Sequence, residues 1–450
     1  MKYSQEFIDK MQKLLGDETP NFFDALDNPC SHGLSVNFSR IERQDFESKF
    51  DQKHSAIPET SNGYYVDSFK IGNHILSHLG IIYSQEPSAM YPVEMLDISE
   101  GDIVLDLCAS PGGKSIQILE KLNGTGLLVS NEIVFNRAKI LYENLNRMGF
   151  KNFVITCNNP EDYEKTNLKF DKIIVDAPCG GEGMFRKDNF DFDAYNNASI
   201  DTNARRQKNI LNSIKNLLKP NGKLVYSTCT YDIRENESVV ANFLDNNKDY
   251  TILEYPRLDS VTVEGIKVPP HATNYCKRRY PHKFSGEGQF MALLTRIGKD
   301  SLDDIEYKFS AKGYSPTTKK DSELLRAIFK DVADISDLTI VKRNDNYYAL
   351  PDEVLDFENL NVVSVGCLIG SINGKVIKIA HEFYHTYGEL FYNKIELTDN
   401  QVSDYLKGLE IETEKPNGVY AVYYLSQPLG GGKVAGNRLK NYYPKNLRIN

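Results

Sequence analysis

The sequence predicts an α/β protein built around a doubly wound, mostly parallel sheet of seven strands. Three observations predict this fold: strand and helix patterns alternate from Gly101 to Leu294, a glycine-rich turn follows the first strand, and two later strands end at cysteine-bearing turns. Alternation of this kind gives parallel sheets that bind ligands at the carboxyl ends of their strands. A functional site is therefore expected at that edge of the sheet.

Short apolar runs mark the seven candidate strands, which are residues 103–107, 126–129, 153–156, 172–175, 223–226, 250–253 and 290–294. Helical spacing of apolar residues falls between them, at 114–122, 134–148, 209–218 and 237–244. Gly149 and the turn Pro220-Asn221-Gly222 are predicted helix stops. We therefore assign residues 96–297 to one central domain.

At 450 residues the chain is too long for one ordinary core. We expect a small N-terminal α+β module that binds RNA at residues 1–95, with a strand at 34–38. A small α+β domain with a helix at 322–329 is expected at 298–390. Residues 391–450, with a strand at 419–425 followed by three glycines, are expected to form a C-terminal RNA-binding domain.

Composition excludes several classes of protein. No stretch supplies 18 consecutive apolar residues, and the first ten residues lack the apolar region of a signal peptide. Seven scattered cysteines argue against a disulfide framework, and no paired Cys/His spacing suggests zinc. We expect a cytoplasmic protein with reduced thiols, no membrane span and no metal, and we expect a monomer.

Two basic clusters stand out against a net charge of −9. The first basic cluster is Lys277, Arg278, Arg279 and Lys283, with Tyr275, Tyr280 and His282 among them. The second basic cluster is Lys433, Arg438, Lys440, Lys445 and Arg448, with Tyr442 and Tyr443 among them. A run of charge alone is typical of a solvated face, but aromatic rings between cations favour base stacking and phosphate contact.

The turn after the first strand reads DLCASPGGKS at 106–115. It lacks the GxGxxG of a dinucleotide site, and no glycine stands where a Walker loop needs one. Its glycines and the following helix N-terminus suit a nucleoside cofactor. Glu132 can accept the ribose hydroxyls or cap the helix at Val134, and Asn159 can bond the base. The predicted cofactor residues are Cys108, Ala109, Ser110, Pro111, Gly112, Gly113, Lys114, Glu132, Arg137, Asn159 and Asp176.

Two cysteine turns, Asp176-Ala177-Pro178-Cys179 and Ser227-Thr228-Cys229, end the fourth and fifth strands. Methyltransferases that act on exocyclic amines carry an aromatic residue where this chain has Cys179, so the thiol favours chemistry at carbon. Carbon 5 of cytosine becomes nucleophilic once a thiolate adds to carbon 6, and a second residue must help break that bond. One cysteine alone can be a small buried hydrophobe, but two predict this mechanism, with Cys179 the first candidate because a proline precedes it.

Three long motifs carry a family resemblance. The chain resembles the RNA cytosine-C5 methyltransferases of the Sun/Fmu family at DLCASPGGKS (106–115), DAPCGGEGMFRKD (176–188) and YSTCTYDIRENE (226–237). Residues 83–90 look like the family's segment just before the core, and residues 183–187 and 439–445 look like the branch that modifies bacterial 16S ribosomal RNA. The resemblance covers nearly the whole chain and implies a Rossmann-like class I S-adenosylmethionine-dependent methyltransferase with a C-terminal PUA-like RNA-binding domain. Asn158 and Asn159 depart from it where the family often has Asp.

The resemblance also implies roles for particular residues. Cys229 would attack carbon 6 of a flipped cytosine, and carbon 5 would take the methyl group of S-adenosylmethionine. Asp176 would hold the ring nitrogen or amino group, Cys179 would assist proton removal and release, and Lys114 would lower the thiol pKa or orient the base. Ribosomal RNA or the small ribosomal subunit is the expected partner, and the expected RNA contacts are Arg186, Lys187, Arg278, Arg279, Arg438, Lys440 and Lys445.

Two alternatives remain open from the sequence. A cytosine-C5 methyltransferase of DNA would use the cysteine of the Pro-Cys turn, which would leave Cys229 and the second basic cluster without a role; transfer RNA is another possible substrate. An RNA-binding ribosome-assembly factor without catalysis is the other alternative. The intact set of Asp106, Lys114, Glu132, Asp176, Cys179 and Cys229 argues against it.

Overall fold

The structure is a computed structural model that describes residues 3–67, 70–187, 190, 196–298, 308–373 and 376–449. The first part of the chain is a four-stranded antiparallel sheet flanked by helices. Its elements are α1 (Gln5–Leu15), α2 (Thr19–Asp27), β1 (His32–Val36), α3 (Arg43–Lys49), β2 (His54–Ala56), β3 (Gly63–Val66), α4 (Ile75–His78), β4 (Ile82–Ser84) and α5 (Tyr91–Glu94). The strand order is β2-β3-β1-β4. The side chain of Ser4 caps α1 by accepting from the Phe7 amide, as expected at a helix start.

The central part alternates strands and helices as predicted. Its elements are β5 (Ile103–Asp106), α6 (Gly113–Leu122), β6 (Leu127–Asn131), α7 (Phe135–Arg147), β7 (Phe153–Thr156), β8 (Phe170–Asp176), α8 (Asn197–Ile214), β9 (Leu218–Thr228), α9 (Glu237–Asn246), β10 (Tyr250–Leu253), β11 (Val263–Glu264), β12 (Lys277–Arg279) and β13 (Gln289–Arg296). The seven predicted strands lie in one sheet in the order β7-β6-β5-β8-β9-β13-β10. The first five are parallel, and β13 runs antiparallel to β9. The predicted doubly wound fold is confirmed.

The helix predicted at 209–218 differs from the one observed. α8 begins at Asn197 and ends at Ile214, and the strand after it already starts at Leu218. The turn Pro220-Asn221-Gly222, which we predicted to stop the helix, lies inside β9, where the pairing with β8 shifts register. Asn221 takes a φ of 61°, which an asparagine tolerates within a bulge.

The last part of the chain forms two five-stranded sheets. Its elements are β14 (Ser315–Pro316), α10 (Lys319–Phe329), β15 (Ile340–Arg343), β16 (Asn346–Ala349), β17 (Val362–Val365), β18 (Cys367–Asn373), β19 (Val376–Ile379), α11 (His381–Thr386), β20 (Lys394–Glu396), α12 (Asp399–Leu406), β21 (Ile411–Glu412), β22 (Gly418–Tyr424), β23 (Gln427–Ala435) and β24 (Arg438–Asn441). The two sheets have the orders β14-β15-β16-β18-β19 and β20-β22-β23-β24-β21. Residues 299–307 of the domain predicted at 298–390 lie outside the described part.

Three further strands widen the central sheet to ten. β12 pairs with β13, β11 pairs with β12, and β17 crosses over from the later part of the chain to pair with β7. Residues 362–365 of the segment that we assigned to a separate small domain therefore belong to the central sheet.

Apolar packing on both faces of the central sheet shows that it is doubly wound. Residues of α6 and α7 pack on one face, and residues of α8 and α9 pack on the other. A separate core joins the two ends of the chain, because Leu34 and Tyr64 of the first sheet share it with Val422 and Leu439 of the last. Within the described residues, no helix has the length and apolar character needed to span a membrane.

Candidate active site

A cavity of about 500 Å³ lies at the carboxyl edge of the central sheet. It opens where the strand order reverses between β5 and β8, which is where doubly wound sheets bind ligands. Seven of the predicted cofactor residues line it: Cys108, Ala109, Ser110, Pro111, Gly113, Lys114 and Asp176. Residues 30–33 and 83–86 of the N-terminal part line it as well. The sequence did not predict that contribution.

Asp106 offers this cavity an acceptor without a partner. Its side chain is fully buried, and Oδ2 accepts from Ser115 Oγ at 2.7 Å. Oδ1 has no hydrogen-bond partner among the described protein atoms. Burial raises the pKa of Asp106 to about 7. A ligand with a positively charged hydrogen-bond donor would therefore give Oδ1 of Asp106 the partner that it lacks.

Glu132 lies beside the cavity without lining it. Its carboxylate is 3% exposed, accepts from the Val134 amide at 3.0 Å and lies 3.4 Å from Arg137 Nη1. Arg137 Nη2 donates to the Ser110 carbonyl at 3.0 Å, which ties Glu132 to the glycine loop. The helix-capping role of Glu132 is present, and it does not prevent the second oxygen from meeting a ligand.

Gly112 and Asn159 are the other predicted cofactor residues outside the cavity lining. Gly112 takes a φ of 119°, and a Cβ there would lie 3.0 Å from Leu141 Cδ1, so the turn needs a glycine. Asn159 is exposed, and its amide donates to Asp162. Its neighbour Asn158 is buried and bonds the backbone of Asn361, so Asn158 connects β7 to the later part of the chain.

The two thiols predicted to act together lie side by side. Cys179 Sγ and Cys229 Sγ are 3.4 Å apart, although 50 residues separate them in the chain. The parallel register of β8 and β9 sets Asp176 beside Ser227, and this pairing brings the two cysteine turns together. The hydrogen bond to Cys229 and then burial hold the pKa of the Cys179 thiol well above its usual range.

Asp176 is fixed between a lysine and two neutral donors. Lys114 Nζ donates to its Oδ2 at 2.7 Å, while Ser227 Oγ and Gln289 Nε2 donate to its Oδ1 at 2.7 and 3.2 Å. Burial disfavours the charge of Lys114, but Asp176 outweighs this and raises the lysine pKa. Gln289 belongs to no sequence motif. It is the first residue of β13, and it reaches this edge because β13 runs antiparallel to β9. A prediction of that strand direction would have identified it.

The two cysteine turns are bonded to each other through the backbone. The amide of Gly183 donates to the Cys229 carbonyl at 2.7 Å, and a Cβ at Gly183 would lie 2.9 Å from that oxygen.

Glu235 is a further buried residue near these turns that the sequence did not predict. Its side chain is fully buried and accepts from the Gly180 amide and from Gln207 Nε2, each at 3.0 Å. Burial raises the pKa of Glu235 to about 7.

Helix α1 bridges the same two turns from outside the central domain. Lys10 Nζ pairs with Glu182, which follows Cys179, and with Asp232 at 3.1 Å, which follows Cys229. Glu182 also accepts from the Tyr231 amide at 2.9 Å. The N-terminal part of the chain therefore holds the loops that carry the thiols, a role that no pattern in the sequence indicated.

The prediction that Arg278 and Arg279 contact RNA is wrong. Both lie in β12 and are 2% exposed. Arg278 Nε donates to Glu237 Oε1 at 2.7 Å, and Arg279 donates to the carbonyls of Val261 and Ser285. Their charges are used inside the protein. Arg186 is similar, with a side chain 7% exposed that lies 2.9 Å from Glu287.

The other predicted RNA contacts are accessible. Lys187 is exposed and lines the cavity, whereas Asp188, the last residue of its motif, lies outside the described residues. Arg438, Lys440 and Lys445 of the second basic cluster are exposed.

The strand order, the glycine loop and the paired strand-end residues define a class I methyltransferase fold. Three stretches of the chain also match known families. Residues 93–295 match the family described as 16S rRNA methyltransferase RsmB/F, residues 4–87 match the N-terminal domain of 16S rRNA methyltransferase RsmF, and residues 392–449 match the methyltransferase RsmF PUA domain.

Similar proteins agree with this match. Ribosomal RNA small subunit methyltransferase F of Shewanella oneidensis is 30% identical over 445 residues, covering 95% of this chain and 92% of the relative. That of Erwinia tasmaniensis is 29% identical, covering 98% and 96%. A crystal structure of a methyltransferase homologue from Pyrococcus horikoshii is 28% identical with a TM-score of 0.59, covering 66% of this chain and 96% of that one. The chain belongs to the RsmB/F family of 16S rRNA methyltransferases and is an RNA methyltransferase.

Proposed function

We propose that the protein transfers a methyl group from S-adenosylmethionine to carbon 5 of a cytidine in 16S ribosomal RNA. The observation that carries the proposal is the 3.4 Å separation of Cys179 Sγ and Cys229 Sγ beside the cavity. Methylation of an amine or a hydroxyl needs no thiol, whereas methylation of a pyrimidine carbon needs one to attack and a group to help release it.

The residues around the cavity fit S-adenosylmethionine. The open Oδ1 of Asp106 suits its ammonium group, and the loop at 108–114 lets the backbone approach its aminoacyl part. Glu132 suits its ribose hydroxyls. When bound, S-adenosylmethionine supplies an electrophilic methyl group.

The contact between the sulfurs supports Cys229 as the nucleophile. The raised pKa of Cys179 keeps it a thiol, and that thiol can donate a hydrogen bond to the Cys229 sulfur. Cys229 adds to carbon 6, which makes carbon 5 nucleophilic. Once its sulfur is bonded to carbon, the main cause of the raised Cys179 pKa is gone.

Cys179 then loses its proton to solvent, which is the one proton that the overall reaction releases, and acts as a base. Its thiolate takes the proton from methylated carbon 5, the bond between carbon 6 and Cys229 breaks, and Cys229 leaves as a thiolate. Each cysteine thus returns to its starting form, with Cys179 carrying the transferred proton.

Asp176 is placed to hold the base during these steps. Lys114, Ser227 and Gln289 keep its carboxylate in one orientation, so it can accept from the cytosine amino group. The same lysine supplies a positive charge near the sulfurs, since Cys229 in turn favours the charged form of Lys114.

Support for ribosomal RNA as the substrate comes from the relatives, whose names place their activity on the small subunit. The exposed cations of the second basic cluster, Lys433, Arg438, Lys440 and Lys445, lie within the segment that matches a PUA domain and support RNA over DNA. The assembled chemical site argues against an inactive assembly factor.

Single cysteine variants test the proposal with labelled S-adenosylmethionine and 16S RNA. Cys229→Ala should abolish methylation and form no covalent complex. Cys179→Ala should accumulate a protein–RNA adduct, seen as a slow band on a denaturing gel. Cys367→Ala, in β18, is the matched control and should turn over. Loss of methylation and of the adduct in Cys179→Ala, together with an adduct in Cys229→Ala, would reverse the roles, and labelled methyl outside carbon 5 would reject the chemistry.

A further inference from the structure

A pocket of about 220 Å³ lies where the first, central and last parts of the chain meet. His78 comes from α4, Arg147 from the end of α7, His381 from α11 and Arg448 from the C-terminal residues. No Asp or Glu is among the residues that line it.

The pocket holds positive charge without a counter-charge. Neither Arg147 nor Arg448 has a carboxylate within 4 Å among the residues that the structure describes. The Nε atoms of both guanidiniums also lack a hydrogen-bond partner there. Both arginines are partly exposed; Arg147 Nη2 donates to Asn144 Oδ1 at 2.9 Å, and Arg448 Nη2 donates to the Tyr443 carbonyl at 3.3 Å. These neutral acceptors do not balance the two charges, so the pocket suits an anion from outside.

The histidines of the pocket add uncharged hydrogen-bond donors to the two guanidiniums. His78 Nδ1 lies 2.8 Å from the Tyr443 hydroxyl. If that hydroxyl donates, His78 carries its hydrogen on Nε2, which has no partner. His381 Nδ1 has no partner either, and burial lowers the pKa of both histidines to about 4. The imidazoles therefore contribute hydrogen bonds at neutral pH, and the arginines contribute charge.

A larger groove of about 1220 Å³ continues from the pocket and shares Arg147, His381, Tyr443 and Arg448 with it. Its other cationic residues are Lys378, Lys433 and Lys445, against the carboxylates Glu143 and Glu382. Tyr442 lines it with a ring that is 42% exposed. Cations beside open aromatic rings suit a single nucleic-acid strand, with phosphates on the cations and bases on the rings.

We propose that the pocket binds a backbone phosphate of the RNA substrate and that the groove receives the neighbouring nucleotides. This inference rests on the proposed function, since it takes RNA as the substrate. α7 leads from Glu132 beside the cofactor cavity to Arg147 in the pocket, and its 13 residues span about 20 Å. The pocket would therefore anchor RNA outside the target cytidine.

Replacement of the guanidiniums tests the pocket in the full chain. Arg448→Gln and Arg147→Gln should each weaken binding of a labelled short single-stranded RNA about fivefold at about 0.1 M salt. Each should also reduce the slope of log affinity against log salt by about 0.7, as expected for one lost phosphate contact. Arg448→Lys should recover most of the affinity.

Three further measurements keep the test decisive. Lys445→Gln, at an exposed groove residue, should also weaken RNA binding without disturbing the core. Arg326→Gln, at an exposed arginine that lines neither cavity, should bind like the parent. Calorimetry with S-adenosylmethionine should give equal affinities for all variants, which excludes misfolding as the cause.

Unchanged RNA affinity and salt slope in both guanidinium variants would overturn the inference, even if the parent methylates RNA. Loss of inorganic phosphate binding with RNA binding intact would assign the pocket to free phosphate and also overturn it. A parent that does not methylate RNA at all would instead reject the proposed function, so the two failures are distinguishable.

Discussion

The two basic clusters look alike in the sequence but differ in exposure in the structure. Both place lysines and arginines among tyrosines. In the first cluster, Arg278 and Arg279 lie in β12 and are 2% exposed. In the second, Arg438, Lys440 and Lys445 are exposed.

Partners distant in the chain make the difference. Arg278 pairs with Glu237, 41 residues away, and burial of the guanidinium is offset by that carboxylate, which raises the arginine pKa. Among the residues that the structure describes, the second cluster makes one contact of this kind, between Arg438 and Glu410 at 3.8 Å. Local composition identifies a cation, but the availability of a buried carboxylate decides whether it binds a ligand or stabilises the core.

The largest effect expected from this comparison is on stability. Arg278→Met should lower the free energy of unfolding by about 3–5 kcal/mol, because Glu237 would stay buried without its partner. Arg438→Met, in the second cluster, should change it by less than about 0.5 kcal/mol. Denaturation in urea measures both, and equal effects would remove the distinction between the clusters.

A second prediction contrasts two buried carboxylates, Glu237 with its arginine and Glu235 with neutral donors only. Burial raises the pKa of Glu235 from its usual 4.5 to about 7, so the folded protein retains a proton that the unfolded chain releases in that range. Stability should therefore fall between pH 4.5 and 7, by on the order of 3 kcal/mol from this group.

The variant Glu235→Gln isolates that contribution, since an amide cannot ionise. The difference in stability between parent and variant should change across this pH range and stay constant above pH 8. A difference that does not depend on pH would show that Glu235 is already charged in the folded protein.

Lys10 is intermediate between the clusters, with a side chain 22% exposed that pairs with buried Glu182 and Asp232. Lys10→Met should cost about 1–3 kcal/mol of stability, because two buried carboxylates lose a donor. It should also lower kcat for methyl transfer while KM for S-adenosylmethionine stays the same, because the two cysteine turns would no longer be joined by the ion pairs of Lys10. Recovery of kcat by Lys10→Arg would support the role in positioning; a change in cofactor KM alone would argue against it.

The smallest effect concerns the exposed cluster and RNA. Lys440→Gln should weaken RNA binding about fivefold at about 0.1 M salt, or about 1 kcal/mol, with no change in unfolding. Lys312→Gln, at another exposed lysine, should leave RNA affinity unchanged. Equal losses in the two variants would mean that general charge, and not this cluster, attracts RNA.

The sequence predicted most of the central fold because its signals are local. Apolar runs located the seven strands, and β7 and β10 match their predicted limits. The motifs likewise identified the glycine loop and both cysteines, because the parallel register brings strand ends together.

The parts that could not be predicted depend on contacts between distant segments. The sequence of β12 resembles a charged loop. Its burial is explained only by the contact of Arg278 with Glu237, which the sequence does not reveal. Lys10 and residues 30–33 reach the site only because the N-terminal part packs against the cysteine turns and the glycine loop. Gln289 depends on the direction of β13.

The core shared by the two ends of the chain has a consequence for synthesis. Leu34 and Tyr64 emerge from the ribosome early, whereas Val422 and Leu439, which share their core, emerge much later. The first sheet must wait for nearly the whole polypeptide before its apolar face is buried, although domains usually fold in the order of translation. A chain terminated before Val422 would keep the first sheet but leave its apolar face without this cover.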